Sequence, residues 1–440
     1  MVKGNLKRTR EDQDPDDGQH EHRTHARRCF LTSLQLFSEQ IPTHRNKILR
    51  HNDRPSASVA IDSAVEKDTK SDDVEIVDSR PHTLRPAPLG GTHGNTINSL
   101  LDLTSLCSQD DISARFDSIS SALLSEYYLS VIHGGSQTDY EILELEFYFQ
   151  KSACHEDPFT HGSAEQERSG QWYFHRAPKR SNTSQANLAA TVAGGYRGGT
   201  RKGLDLTFGG PVCTQASSSM EPYITSAILR GGALLRTIRR YHDQKVISGP
   251  SLLVDEILRV CSASNINELV SAKWQGDISA LSAPSQPRSI YMYLRKRPAS
   301  SLATSPVFRS PRIGLDLSNP ETKASPTHPR VIFVGKLYRY FTYPELLVIN
   351  GRTQTFVGLY LALVEGKEYE PGSLKFRNEL NKLTGIKDTT LAKYFSDYQL
   401  GYEKGKLANF VGAHGKGVLA SASAYLRMMG TLAMVLHEAP

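Results

Sequence analysis

A chain of 440 residues, 38% of them hydrophobic, has enough apolar surface for one large core or two moderate ones, which excludes a wholly disordered protein. Its 52 Lys and Arg against 46 Asp and Glu leave a formal charge of +6, compatible with a polyanionic partner such as nucleic acid without establishing one. Five cysteines, Cys29, Cys107, Cys154, Cys213 and Cys261, stand far apart with no CxxC pair, which argues against a disulfide scaffold or zinc ribbon and fits a reducing compartment. No apolar signal segment follows Met1 and no apolar run reaches the roughly 18 residues of a membrane helix. The expectation is a soluble, intracellular protein that does not enter membranes.

Residues 1–110 mix alternating charge with Pro, Gly, Ser and Asp, a composition that offers little apolar area to offset backbone ordering. The basic pieces LKRTR and RTHARR are candidate nuclear-import signals or arms over phosphates, with an ordinary solvated tail as the alternative. In KSDDVEIVDS, Val74, Ile76 and Val77 form a β-prone core flanked by acids, which looks like a SUMO-interacting motif that adds an edge strand to its partner. Order is expected from about Phe116, where FDSISSALLSEYYL predicts a helix capped at Asp117 or Ser118 and ended by Gly134 and Gly135.

The stretch LELEFYF, Leu143–Phe149, reads as a strand on which Glu144 and Glu146 point the same way. Two like charges on one face of an apolar, aromatic strand mark either a solvated sheet face or a cleft holding a general base. Beyond it come the strand candidates QWYFHR, GLDLTFGG and GGALLRTIRR, then the helix GPSLLVDEILRV with Pro250 at its start. Pro and Ser recur between residues 281 and 328, predicting a loop-like insertion in which SPRIGLDLS is ordered. VIFVGKLYRYF predicts a strand pair turning at Gly335 and Lys336. From 344 to 440 the pattern changes to helices separated by Gly and Pro, and LNKLTGIKDTTLAKYF has the cadence of a helix-turn-helix with Gly385 in the turn and Thr389, Thr390 and Lys393 on one face.

An aromatic pocket with one carboxylate suits an enzyme acting on an extruded base, because stacking holds the planar base while the acid activates water at the sugar carbon. Glu144, Glu146, Tyr148, His161, Trp172, Tyr173, His175, Tyr196, Asp205 and Arg236 supply those groups if they converge. His155 and His161 are a weaker metal-pair candidate without the His-Glu-x-x-His order. In GGYRGGTRKG, Tyr196, Arg197, Arg201 and Lys202 among glycines are suited to a nucleic-acid backbone, although the Lys-Ser/Thr ending of a Walker loop is missing.

The order of these pieces across about residues 115–343 resembles the alkyladenine (methylpurine) DNA glycosylase family. LELEFYF is similar to its glutamate strand of the type Val-Glu-Thr-Glu-Ala-Tyr, DPFTHGS to its Asp-x-x-x-His-Ser segment, GGALLRTIRR to its Gly-Ala-Val-Leu-Ile-Arg-Ala strand, and SPRIGLDLS to its Pro-Arg-Ile-Gly-Ile. The resemblance implies an α+β fold, a single mixed, strongly curved antiparallel sheet with packed helices, to which residues 344–440 add a helical extension. It implies a monofunctional glycosylase that hydrolyses the N-glycosidic bond of alkylated or deaminated purines in duplex DNA. No metal or organic cofactor is implied; a nuclear, monomeric protein is.

By the same resemblance Glu146 is the water-activating carboxylate, Tyr148 and His161 stack on the base, Arg236 meets the nucleotide backbone, and Arg312 is architectural. Three features depart from the family pattern. His175 stands where a stacking tyrosine is expected, and Asp205 where an asparagine gates substrate size. An insertion separates the strand carrying His175 from Tyr196, the substitute for an intercalating tyrosine. The departures keep two other readings open: a non-enzymatic nucleic-acid- or protein-binding member of the fold, and an N-glycosidase acting outside duplex DNA.

Overall fold

The computed structural model of the protein describes residues 97–177, 195–211, 228–302, 305–347, 350–365 and 369–437, all within one compact unit, Leu89–Pro440. The SUMO-interacting candidate of Val74, Ile76 and Val77 and the basic N-terminal pieces lie outside the described residues. Among the described residues no helix is long and apolar enough to cross a membrane.

Ordered structure begins earlier than the predicted start near Phe116, with α1 (Ile97–Leu101) and α2 (Gln109–Ser125). The cap of α2 is Ser108, whose hydroxyl accepts the Asp111 N–H at 3.0 Å, and Asp110 and Asp111 meet the positive end of the helix dipole. Ile112, Phe116, Ile119 and Leu123 form its buried stripe. The helix stops at Ser125, so Tyr127 and Tyr128, expected on the helix, instead open β1 (Tyr127–His133).

A hairpin leads from β1 into the long strand β2 (Ser136–Lys151). Then follow β3 (His155–Glu156), β4 (Trp172–Phe174), β5 (Leu204–Phe208), β6 (Leu229–Arg240), β7 (Val246–Ser248), α3 (Pro250–Val260), β8 (Ile290–Lys296) and β9 (Phe308–Ser310). α3 opens on Pro250 as expected. β8 and β9 fall inside the predicted loop-like insertion, where the alternation of IYMYLRK was outweighed by the surrounding Pro and Ser. The predicted strand pair of VIFVGKLYRYF is instead a helix followed by a strand, α4 (Pro329–Val334) and β10 (Arg339–Phe341). Pro329 at the first helical turn and the His328 side chain accepting the Arg330 N–H override the β-branched composition.

These strands form one curved sheet in the order β4-β5-β6-β2-β1-β8, its strand pairs antiparallel, with β10 beside the second half of β2 and β9 beyond β10. Register irregularities between Ile142 and Leu145 bend β2 where its neighbour changes from β1 to β10. The sheet has two unlike buried faces. Leu145, Phe147, Phe149, Leu204, Leu206, Phe208, Ala233 and Leu235 enter the apolar core, where Phe116 of α2 stacks on Phe147 with ring centroids 4.5 Å apart. Each large apolar side chain so removed from water contributes roughly 1.5–3 kcal/mol. The intervening positions turn Tyr173, Asp205, Glu144, Glu146, Arg236 and Arg339 to the opposite face, and these too are buried. A solvated sheet face for the two glutamates is thereby replaced by a buried polar layer.

The rest of the chain folds over that layer as α5 (Arg352–Glu365), α6 (Leu374–Thr384), α7 (Asp388–Lys404) and α8 (Ala422–His437). α5 lies so close to β9 that a Cβ at Gly358 would stand 2.1 Å from the Arg309 carbonyl oxygen. α7 and α8 likewise meet backbone to backbone, since a Cβ at Gly430 would stand 2.0 Å from the Tyr398 oxygen. Gly385, left-handed at φ 64, caps α6 and turns the chain into α7, as the helix-turn-helix cadence predicts. Thr389 and Lys393 are exposed and Thr390 half-buried, while the Lys393 ammonium pairs with Asp397 at 3.0 Å.

Far from this layer, Glu256 of α3 accepts from Tyr140 at 2.7 Å and pairs with Arg240 and Arg259. Burial raises its carboxyl, but the hydrogen bonds from Arg259, Tyr140 and Arg240 outweigh this and bring it down to about 2 from 4.5. Because the folded-state value is depressed, the stabilisation is present above the unfolded value and is lost as pH falls from about 4.5 toward 2, amounting to about 3 kcal/mol. Urea midpoints measured across that window should fall steeply for the wild type and more shallowly for Glu256→Gln.

Candidate active site

β2 carries Glu146 at the centre of the polar face, and the register of its neighbours builds a row around it. Tyr173 of β4 opposes Asp205 of β5, which opposes Leu234 of β6, which opposes Glu146, which opposes Arg339 of β10. Residues directly opposed in antiparallel pairs share a face, so all five point the same way. Glu146 and Asp205 are two inter-strand steps of roughly 4.8 Å apart, about 10 Å between Cα atoms, with Leu234 between them.

Glu146 is fully buried and held by three donors. Its Oε1 accepts the Ile313 N–H at 2.7 Å, and its Oε2 accepts the Tyr148 hydroxyl at 2.9 Å and Arg236 Nη1 at 3.2 Å. Donors of this kind favour the ionised carboxylate, the form a general base needs. Arg236 also lies against Glu144, its Nε 3.3 Å from Oε1. That placement commits its guanidinium to the two carboxylates rather than to a nucleic-acid backbone.

Glu144 is further tied to Thr237 and, at 2.6 Å, to Arg339 Nε. Burial raises the Glu144 carboxyl, but the Arg339 and Arg236 guanidiniums and the Thr237 hydroxyl more than reverse this and leave it below the usual carboxylate range. Arg339 in turn donates to Ser310 at 2.9 Å and to Thr355 of α5 at 3.0 Å, so the helical extension reaches into the polar layer.

Tyr148 is half-buried, its ring resting on the Arg312 guanidinium with Cζ 4.6 Å from the centroid. Burial and the adjacent Glu146 charge push its phenol well above the ordinary value, so it stays a hydroxyl donor. Arg312 is fully buried, bonded to Asp157 at 2.6 Å and to the carbonyls of Phe147 and Phe333, in keeping with the architectural role implied for it.

At the other end of the row His161 meets His175 edge-on, ring centroids 4.6 Å apart. Burial, then the neighbouring His175, lowers the His161 pKa to about 4, so its ring is neutral at physiological pH. His175 Nε2 stands 2.9 Å from Asp205 Oδ1, and Gln166 Nε2 donates to Oδ2 at 3.0 Å. Both Asp205 oxygens are thus engaged by protein groups. Leu234 separates this cluster of His161, His175, Asp205 and Gln166 from that of Glu146, Tyr148 and Arg236.

The Gly-rich segment is folded inward for the most part. Tyr196 packs on Phe174 and carries the Arg176 guanidinium 3.8 Å over its ring, which leaves it poorly placed to intercalate. Arg197 Nε donates to the Arg176 carbonyl at 2.8 Å, and Lys202 pairs with Asp255. Arg201 is exposed. His155 belongs to the core, with Nδ1 on the Phe149 carbonyl and Nε2 on the Tyr338 hydroxyl, so both ring nitrogens are spent and it does not join His161.

Sequence reasoning missed Ile313, Gln166, Thr355, Asp157 and Arg339. Arg339 did leave a signal, a lone cation inside the apolar strand of LYRYF. No protein-family model matches the chain. It is 26% identical over 200 residues to an uncharacterized protein of Acanthamoeba polyphaga mimivirus, a match covering 46% of this chain and 78% of that protein.

Proposed function

We propose that the protein is a monofunctional glycosylase that hydrolyses the N-glycosidic bond of a modified purine in duplex DNA, with Glu146 as the general base. The observation that carries the reading is the row across the sheet. It sets an ionised, enclosed carboxylate about 10 Å from a second polar cluster, on the same face, with an aliphatic side chain between. An extruded purine lying over Leu234 has Tyr148 at one end and His161 at the other as rings to pack on. Each carboxylate oxygen has two lone-pair sites, so Glu146 Oε1, which takes the Ile313 amide, keeps one for a water aimed at the sugar carbon. The water gives its proton to Glu146 as the bond to the base breaks, leaving an abasic sugar and free base.

The chain's net charge of +6 and exposed Arg201 suit a DNA backbone, and the reading carries with it a nuclear, monomeric protein whose Val74–Val77 segment engages SUMO.

One observation favours a second reading. Glu146 ties β2 to β6 through Arg236 and to the segment after β9 through Ile313, so it also serves as a clamp in a fold that only binds nucleic acid or protein. Duplexes carrying a single hypoxanthine, ethenoadenine or 7-methylguanine, incubated with the full chain and then cleaved with alkali, separate the two. Strand breaks at the lesion support the glycosylase; saturable binding without breaks supports the binder.

A further inference from the structure

The two residues at which the chain departs from the alkyladenine glycosylase pattern within the pocket, His175 and Asp205, are bonded to each other. His175 Nε2 is 2.9 Å from Asp205 Oδ1; a carboxylate only accepts, so Nε2 carries the hydrogen. Asp205 is itself fixed, because fully buried Gln166 donates to its other oxygen at 3.0 Å.

The surroundings are built to admit this pair. A Cβ at Gly203 would come within 2.6 Å of His175 Cε1 and Nδ1, and one at Gly232 within 2.6 Å of both Asp205 Oδ2 and Gln166 Nε2. Only glycine leaves the imidazole and the carboxylate where they are. With Nε2 committed to Asp205, Nδ1 takes no hydrogen bond among the described residues and is the nitrogen left for a ligand. The groups facing the His175 ring are Asp205 from β5, neutral His161 at its edge, and Tyr173 from β4 at 6.0 Å. Asp205 is the one anion among them, so the site favours a proton on the imidazole.

We infer that His175, oriented by Asp205, is the proton donor to the leaving base, and that the site therefore takes uncharged purines as well as cationic alkylated ones. The inference rests on the glycosylase reading and deepens it. A cationic base departs as a neutral molecule and needs no proton, whereas an uncharged purine would depart as an anion. In the step, the electron pair of the N-glycosidic bond leaves with the base and His175 Nδ1–H protonates a ring nitrogen of that base. Water bonds to the sugar carbon and gives its proton to Glu146; His175 is reprotonated from solvent. The position suits the task, since the dyad stands two strands from Glu146 on the same face, at the base end rather than the sugar end of an extruded nucleotide.

The test is single-turnover release from duplexes carrying hypoxanthine, which is uncharged, or 7-methylguanine, which is cationic, by wild type, His175→Phe and Asp205→Asn. In both variants hypoxanthine release should fall about 100-fold or more while 7-methylguanine release stays within about threefold of wild type. A merely structural role moves both substrates together, and that result overturns the inference while leaving the glycosylase reading intact. Undiminished hypoxanthine release by both variants also overturns it. If wild type releases neither base, the glycosylase reading itself fails and the dyad's role with it. Asp205→Asn is nearly isosteric and keeps the test decisive should the phenylalanine variant misfold.

Discussion

Glu146→Gln is expected to bind lesion-bearing duplex as wild type does and to release the purine about 100- to 10,000-fold more slowly, the usual worth of a positioned general base. The amide has the carboxylate's shape but little proton affinity, so the water loses its acceptor while the walls of the site remain. The variant also carries a structural cost. Every neighbour of Glu146 is a donor, the Ile313 amide on one oxygen and the Tyr148 hydroxyl and Arg236 on the other, so the new NH2 group faces a donor whichever way it is turned. Leaving such a group unpaired costs about 1–3 kcal/mol. Release must therefore be measured below the variant's own melting transition. If Glu146 were only a clamp, the variant would show the stability loss with no selective loss of chemistry.

The largest stability effect is expected at Arg312. Its guanidinium is fully buried against Asp157, equally buried, and satisfies the Phe147 and Phe333 carbonyls. Arg312→Met leaves the Asp157 charge without a partner in the core and should lower unfolding free energy by about 3–5 kcal/mol in urea titrations. Adding Asp157→Leu removes the stranded charge, and the double variant should recover a substantial part of the loss, because replacing both members of a buried pair by apolar groups is far milder than removing one. A double variant no more stable than the single one would show that the cost lies in the carbonyls, not in the ion pair. Because Tyr148 rests on the Arg312 guanidinium, the single variant should also loosen the ring proposed to pack on the base.

The period-two alternation of LELEFYF was enough to place Glu144 and Glu146 on one side of a strand and Phe147 on the other. It did not say that the charged side is buried, because the cations that permit burial, Arg236 and Arg339, come from strands 90 and 195 residues away in sequence from their glutamates. His161, His175 and Asp205 were chosen by family resemblance, and the structure brings them together; the bond between His175 and Asp205 was invisible because neither residue signals its partner's direction. Tyr196 and Arg236 read as nucleic-acid ligands by type, yet each is claimed by a closer neighbour, Arg176 in one case and the two glutamates in the other.

Secondary structure failed where tertiary context outweighed local preference. VIFV is β-branched and read as a strand, but Pro329 and the His328 cap start a helix there. The opening helix was placed nine residues late because its polar first turn, beginning after the Ser108 cap, resembles the loop before it. The helical extension was legible as helices, but not its part in the polar layer, which depends on a single hydroxyl, that of Thr355, reaching Arg339.

The account's central claim is that the polar face around Glu146 receives a purine turned out of its helix. The most direct measurement is the emission of an ethenoadenine lesion in duplex DNA, titrated with Glu146→Gln so that the complex persists. The predicted result is a saturable change in emission as the base leaves its stack, altered when Tyr148→Leu is added, since the ring against the base is then gone. Saturable binding with emission unchanged from that of the free duplex would mean that the base stays stacked, and would contradict the account.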